Sequence, residues 1–366
     1  MGMPSWTDSP FEVSWLIADV ETRQIPTSSS SARSTDPKCQ SGEHQRAGKG
    51  FVSKVYKCSI EFESSQPDYD VILKVPGGEA LLKSASKTAT QIINFHNNEC
   101  DFYDDFAAKI NFPSPKMFST RKWIKDAQVG YLLMERHERE GAENASSCHG
   151  RNTSPTSSTT SSPCRINRGR TASPSRTTWK VRVWWISRFR LHEKVIEMRP
   201  ETFREKIKPF FEASKHKKFH EYVLVHHSKD LGLPYVLSHG DLWSNNIMWK
   251  VDEHGNITNE VAAVIDYQIV HTGSVTNDLA RLLVCCTDAD VRRQHEIEVN
   301  EAYKISQICQ TSDTLWMVPL FCCGEKETGS EMLWEARTEK LLLRASLALD
   351  DALKVLETIP RERIED

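Results

Sequence analysis

Hydrophobic and polar positions change their rhythm several times along the chain. In FVSKVYKCSIEF, Val52, Val55, Cys58 and Ile60 recur on a strand-like period, ESSQPDYD reads as a turn, and DVILKV is a second compact strand. This predicts a hairpin-like unit with a glycine loop in front of it. The segment TATQIINFHNNECDFYDDFAAKI then switches to helical spacing, with Ile92, Phe95, Phe102 and Phe106 on one face, and VGYLLME returns to a strand. Upstream, Phe11 to Val20 predicts a short helix carrying Phe11, Trp15 and Leu16, followed by the polar, aperiodic stretch TSSSSARSTDPKCQSGEHQRAGKG. From Ser146 to Thr178 the periodicity is lost: 16 of 33 residues are Ser or Thr and Ile166 is the one large aliphatic residue, too little to build a core. From Trp179 onward helical and strand-like stretches alternate, ending in the amphipathic pattern EKLLLRASLALDDALKVLETI.

With 366 residues, the chain has room for roughly two domains or one two-lobed unit. Its 47 Lys+Arg against 50 Asp+Glu give a formal charge of -3, which argues against a strongly basic nucleic-acid binder. No run approaches the ~18 to 20 apolar residues that span a bilayer, and the N-terminus lacks a basic stretch followed by an apolar one. A cytoplasmic location without membrane contact is therefore expected. The ten cysteines include the adjacent pairs Cys285/Cys286 and Cys322/Cys323 but no CxxC spacing, and read as reduced thiols.

Two features carry chemistry. Glu99 sits within the apolar stripe of the helical segment, between Phe95 and Phe102, and a carboxylate there either needs a partner or snorkels at the edge. The stretch YVLSHGDLWSNNIMWKVDEHGNITNEVAAVIDYQIVHTG holds a strand-like run ending in His239-Gly240-Asp241, then Asn246, then a strand ending in Asp266. Taken singly, Asp241 and Asn246 would be Asx turns and Asp266 a strand-ending carboxylate. Together they supply what phosphoryl transfer needs: a carboxylate at an acceptor hydroxyl and oxygen ligands for the magnesium that neutralises nucleotide phosphates.

HGDLWSNN, VIDYQ and TNDLARLL resemble the choline/ethanolamine-kinase-like, ecdysteroid-kinase-like (CHK-kinase-like) branch of the aminoglycoside-phosphotransferase superfamily. The resemblance implies an α+β, two-lobed, protein-kinase-like fold: a small N-lobe with an antiparallel sheet and one helix, and a mainly helical C-lobe with a catalytic-loop hairpin. It implies an enzyme that uses ATP and Mg2+ to phosphorylate a hydroxyl of a small molecule. By the same resemblance Asp241 acts on the acceptor hydroxyl, Asn246 and Asp266 hold magnesium, and Asp278 buttresses the catalytic loop, where it could equally be a favourable first-turn helix carboxylate. GKGFVSKVY matches the nucleotide-covering loop through Gly48, Gly50 and Ser53, although the full GxGxxG pattern is absent. VILKVPG places Lys74 on the ATP phosphates, and HNNECDFY pairs Glu99 with Lys74. His239 reads as a loop-packing residue, and His226, His227 and His271 as surface or satisfied histidines.

The expected organisation is an N-terminal helix and polar loop over 1–46, the N-lobe over 47–135, a Ser/Thr/Arg-rich segment over 136–178, and the C-lobe over 179–366. The third segment departs from the family pattern. Similar proteins continue the strand as Asp-Met-Ser-Glu-Lys, and the codons GAC ATG AGC GAG AA, read one base early behind a C, give the Arg-His-Glu-Arg-Glu of Arg136 to Glu140. Arg136 to Thr178 is thus either a disordered insert or an out-of-frame translation, Thr27 to Arg46 has a similar texture, and the region around Ser306 to Pro319 reads as shorter than in similar proteins, as if a helix were missing. Those departures favour a second reading, a kinase-like protein that binds nucleotide or ligand without turnover. A nucleic-acid-binding role for the Arg/Ser tract is disfavoured because no aromatics interleave its basic residues before Trp179. The acceptor is open: a cage for a quaternary ammonium would draw on Trp184, Trp185, Trp243, Trp316 or Trp334, for most of which core packing is the commoner use.

Overall fold

The computed structural model describes residues 53–60, 69–77, 86–136, 189–296, 301–322 and 331–366. Gly48, Gly50, the Phe11–Val20 segment, Thr27 to Arg46 and all of 137–178 lie outside them. The chain divides into two compact units, Met1–Asn144 with Asn245–Ile269, and Ala145–Ser244 with Val270–Asp366.

The first unit is built on a four-stranded antiparallel sheet. Its strands are β1 (Ser53–Ile60), β2 (Tyr69–Pro76), β3 (Met117–Arg121) and β4 (Tyr131–Glu135), in the order β1-β2-β4-β3, with helix α1 (Ser86–Asp105) between β2 and β3. In β2 the period of two turns Val71, Leu73 and Val75 into the core and leaves Ile72 and Lys74 on the other face. Lys74 is central in the sheet, opposite Val55 of β1 and Leu132 of β4. In β1 the buried positions are Tyr56 and Cys58, and Val55 is exposed. The apolar positions expected at Val55 and Cys58 therefore fall on opposite faces, because they are three residues apart on a two-residue repeat.

A hairpin of β6 (Ile247–Val251) and β7 (Ile257–Val264) also belongs to this unit. Asp252 closes its turn by accepting the N–H groups of His254 and Asn256, and Gly255 supplies the positive φ of 79°. The hairpin is attached through the Val264 N–H, which donates to the Pro113 carbonyl at 2.8 Å. The reading from sequence had assigned these strands to the 179–366 unit.

The second unit is mainly helical. It runs through α2 (Phe189–Met198), α3 (Pro200–Phe203), α4 (Lys208–Ser214), α5 (Lys217–Glu221) and α6 (His227–Asp230), then strand β5 (Tyr235–Ser238) paired antiparallel with β8 (His271–Ser274). The helices α7 (Asn277–Cys286), α8 (Ala289–Glu296), α9 (Glu301–Cys322), α10 (Glu331–Leu356) and α11 (Arg361–Ile364) complete it. Its core gathers Phe203, Ile207, Phe210 and Phe219 against Ile308 and Leu315 of α9 and Leu349 of α10. Across Ser306 to Pro319, α9 is continuous. It is buried around its circumference from Ile305 to Leu315, so the polar run SQICQTSDT is an interior segment that is hydrogen-bonded only in part: Gln310 Nε2 donates to Asn277 Oδ1 at 2.8 Å, while Gln307 Nε2 and Gln310 Oε1 make no hydrogen bond. Among the described residues no helix is long and apolar enough to cross a membrane.

Candidate functional site

In the first unit, three charged side chains meet over the sheet. Lys74 Nζ donates to both carboxylate oxygens of Glu99, at 3.0 and 2.8 Å, and to Asp266 Oδ1 at 2.9 Å. The Glu99 side chain is 1% exposed, Lys74 11% and Asp266 31%, so the cluster opens to solvent through Asp266. Burial works against the ammonium, but the negative charge of Asp266, then that of Glu99, outweighs it and holds the Lys74 pKa above its ordinary value. Burial pushes the Glu99 carboxyl upward, with Lys74 opposing the shift and Asp266 adding to it.

Helix α1 explains why Asp266 lies there. Its residues Asn98, Glu99, Phe102 and Tyr103 repeat at the three-to-four spacing of one helix face, and each grips the segment after β7. Asn98 Nδ2 donates to the Gln268 carbonyl at 3.0 Å, and Glu99 accepts the backbone N–H of Tyr267. The Tyr267 ring stacks on Phe102 with centroids 3.7 Å apart and meets Tyr103 edge-on at 5.7 Å. Asp266 itself has φ of 72°, in the left-handed region that costs an ordinary L-residue roughly 1–2 kcal/mol and that aspartate tolerates better than most. A strained carboxylate beside a buried lysine makes this cluster the functional-site candidate of the unit.

By register Asn246 faces the residue before Asp266. Ile247 pairs with Val264 at the open end of the β6–β7 hairpin, so the preceding Asn246 comes beside Ile265, whose N–H donates to the Asn246 carbonyl at 2.9 Å. Asn246 is buried, at the end of a single 3-10 turn from Ser244. An amide oxygen and a carboxylate at adjoining positions are hard oxygen donors, which suits magnesium and suits zinc or copper poorly. Among the described residues no group of three or more His, Cys, Asp or Glu side chains forms a metal cage. Ser53 begins β1 and is half-buried.

In the second unit, β5 ends at Ser238 and the chain turns through Gly240, whose φ is 85°. Asp278, in the first turn of α7, accepts the backbone N–H groups of His239 and Gly240, both at 2.8 Å. His239 lies in the turn, its Nδ1 accepting the Asp241 N–H at 3.2 Å. His227 is satisfied, with Nδ1 2.9 Å from the Tyr222 carbonyl and Nε2 3.3 Å from Ser306 Oγ. The Asp241 carboxylate receives Nη2 of Arg281 at 2.5 Å. The sequence reading did not single out Arg281. Its signal was the one that exposed Glu99, a charge on a helix face otherwise formed by Asn277, Ala280 and Val284.

Comparison with known proteins gives a mixed picture. A family described as "Uncharacterized oxidoreductase dhs-27" matches residues 187–314. The Caenorhabditis elegans protein of that description is 25% identical over 272 residues, 68% of this chain and 32% of that protein. A Caenorhabditis elegans protein described as an uncharacterized kinase-like protein is 35% identical over 66 residues, 18% of this chain and 16% of its own length. The chain thus spans about a third or less of either relative. Among solved structures, the GDP complex of wild-type aminoglycoside 2'-phosphotransferase-IIIa is 13% identical, with a TM-score of 0.40 over 91% of this chain and 98% of that one. A microcompartment-associated aminopropanol kinase is 12% identical, with a TM-score of 0.39 over 94% and 98%.

Proposed function

We propose that the chain is an ATP- and Mg2+-dependent kinase that transfers the γ-phosphate to a hydroxyl of a small molecule. The observation that carries this reading is the buried Lys74 held between Glu99 and Asp266, with Asn246 opposite Ile265, the residue before Asp266, at the hairpin end. Lys74 would contact the nucleotide phosphates, and Glu99 fixes the direction of its ammonium. Asn246 and Asp266 would hold magnesium, which when bound neutralises charge on the phosphate oxygens. Asp241 would orient the acceptor hydroxyl and take its proton, while Asp278 holds the backbone of that turn through His239 and Gly240. The residues' contribution is positioning and charge stabilisation, so no covalent enzyme intermediate is needed. A relationship to the kinase-like protein of Caenorhabditis elegans is in keeping with this reading.

An oxidoreductase reading follows from the description of the longer relative, but the match covers 32% of that protein. Dinucleotide-binding folds are built on parallel strands with a glycine-rich turn, whereas every strand pair among the described residues is antiparallel.

The test is calorimetry of Mg·ATP binding to the full chain, with Asp266→Asn as the paired variant. Saturable, magnesium-dependent binding that weakens tenfold or more in the variant is expected, at about 1.4 kcal/mol per tenfold. Folded wild-type protein that binds no Mg·ATP would end the kinase reading. Binding without ADP formation across a panel of hydroxylated amines, sterols and sugars would favour the non-catalytic alternative.

A further inference from the structure

Arg281 is a buried cation outside the residue roles set out above. It lies on the inner face of α7, 3% exposed, in the stripe formed by Asn277, Ala280 and Val284. A guanidinium in such a stripe needs partners fixed by the surrounding fold. Its Nη2 donates to Asp241 Oδ1 at 2.5 Å and lies 2.8 Å from Met317 Sδ, while Nη1 lies 3.6 Å from Asp313 Oδ2. Its Nε and Nη1 make no hydrogen bond, so the directed bond to a carboxylate is the one to Asp241. Asp313 comes from α9, its side chain 9% exposed, and stands as the second negative charge beside the guanidinium. Cys285 of α7 completes these surroundings, with Sγ 3.1 Å from Thr314 Oγ1 of α9.

The placement on α7 adds a second observation. Asp278 and Arg281 are one turn apart, the first holding the backbone of His239 and Gly240 and the second the side chain of the next residue, Asp241. One rigid helix therefore fixes both the path of the turn and the carboxylate that ends it.

We infer that Arg281 is the positioning residue of Asp241, setting the rotamer of the carboxylate that meets the acceptor hydroxyl, and that Asp313 is the counter-charge that keeps the guanidinium in place. This rests on the reading of Asp241 given under the proposed function. It goes beyond that reading in assigning the side-chain geometry of Asp241 to a residue that touches neither nucleotide nor acceptor.

The experiment has two arms on the full chain. In urea unfolding, Arg281→Gln, Asp241→Asn and their double variant form a cycle. The double variant is expected to lose less stability than the two singles added together, and strict additivity would overturn the pairing. In the second arm, ADP release from Mg·ATP is followed with water as the acceptor. Arg281→Gln is expected to lower kcat by about tenfold or more, as a misplaced catalytic group does, with KM for Mg·ATP changed less than about twofold. Arg281→Lys should recover part of the loss, and it replaces Arg281→Gln should the latter not fold. In an Asp241→Asn background Arg281→Gln should have no further effect. A loss in kcat that multiplies with that of Asp241→Asn, or an unchanged kcat in Arg281→Gln while Asp241→Asn is impaired, overturns the inference alone. Equal ADP release by wild type and Asp241→Asn overturns the reading of Asp241, and this inference with it.

Discussion

Removing the carboxylate of Glu99 tests whether Lys74 is held by a cluster or merely passes near one. The ammonium has three carboxylate oxygens within 3.0 Å. At an effective dielectric of about 20, a pair at that distance attracts by roughly 6 kcal/mol, which the desolvation of several kcal/mol per buried ion largely offsets. The intact cluster therefore adds little net stability, while a broken one is costly. In Glu99→Leu the buried lysine loses its two-oxygen partner and the Tyr267 N–H loses its acceptor, for an expected cost of about 3–5 kcal/mol. Lys74→Met leaves Glu99 buried and uncompensated, and should cost a similar amount. The double variant Lys74→Met/Glu99→Leu strands no buried charge, since Asp266 retains 31% exposure and can hydrate, so it should lie within about 1–2 kcal/mol of wild type. Urea unfolding followed by tryptophan fluorescence measures all three. A Glu99→Leu loss below about 1 kcal/mol, or a double variant as unstable as the sum of its parents, would refute the reasoning.

Three further outcomes follow from the same geometry. At Asp266, φ of 72° favours Asn over a β-branched residue, so Asp266→Val should be about 1–2 kcal/mol less stable than Asp266→Asn, read from urea midpoints, while both weaken Mg·ATP binding. Asp278→Ala leaves the N–H groups of buried His239 and Gly240 without their carboxylate; a stability loss of about 1.5–3 kcal/mol and a fall in kcat larger than any change in KM are expected from unfolding and steady-state kinetics. His96 is held neutral by burial, against the pull of its 2.8 Å hydrogen bond to the Arg121 carbonyl, and its pKa falls from 6.5 to about 4. A depressed histidine contributes stability that is fully present above pH 6.5 and lost as the pH falls to about 4, worth about 3 kcal/mol in all, and His96→Gln should flatten this acid limb in unfolding curves taken between those pH values.

What the sequence made legible follows the range of the interactions concerned. The helix with Glu99 in its stripe, the strand bearing Lys74 and the turn at His239-Gly240-Asp241 are local patterns, and each is visible within a window of a dozen residues. The unit to which the β6–β7 hairpin belongs is not local. It is set by Val264 on Pro113, Asn98 on Gln268 and Phe102 on Tyr267, pairings more than a hundred residues apart. The left-handed backbone at Asp266 leaves no mark on composition, because aspartate is ordinary at strand ends. The burial of helix α9 is illegible for the opposite reason: its buried positions include Ser306, Gln307, Gln310, Thr311 and Asp313, so polarity does not report burial there. Arg281 was within reach as a charge on a buried helix face, but its partner Asp241 lies 40 residues away in sequence, so no local window shows the pairing.

The two helices that carry the candidate site share one design. Helix α1 presents Asn98, Glu99, Phe102 and Tyr103 on a single face, and through them fixes both a side chain of β2 and the backbone of residues 267–268. Helix α7 presents Asp278 and Arg281, fixing the backbone of 239–240 and the side chain of 241. In each unit the candidate carboxylate, Asp266 or Asp241, sits on a turn outside regular structure: Asp241 is held directly by Arg281 of α7, and Asp266 by Lys74 of β2, whose ammonium Glu99 of α1 fixes while α1 grips the two residues that follow Asp266. Turns alone are the most mobile parts of a fold, and catalytic geometry tolerates errors of well under an ångström. Holding each turn from one helix face, at both backbone and side chain, reconciles those requirements. It also accounts for why charged residues such as Glu99 and Arg281 occupy positions where an aliphatic residue would pack at lower cost.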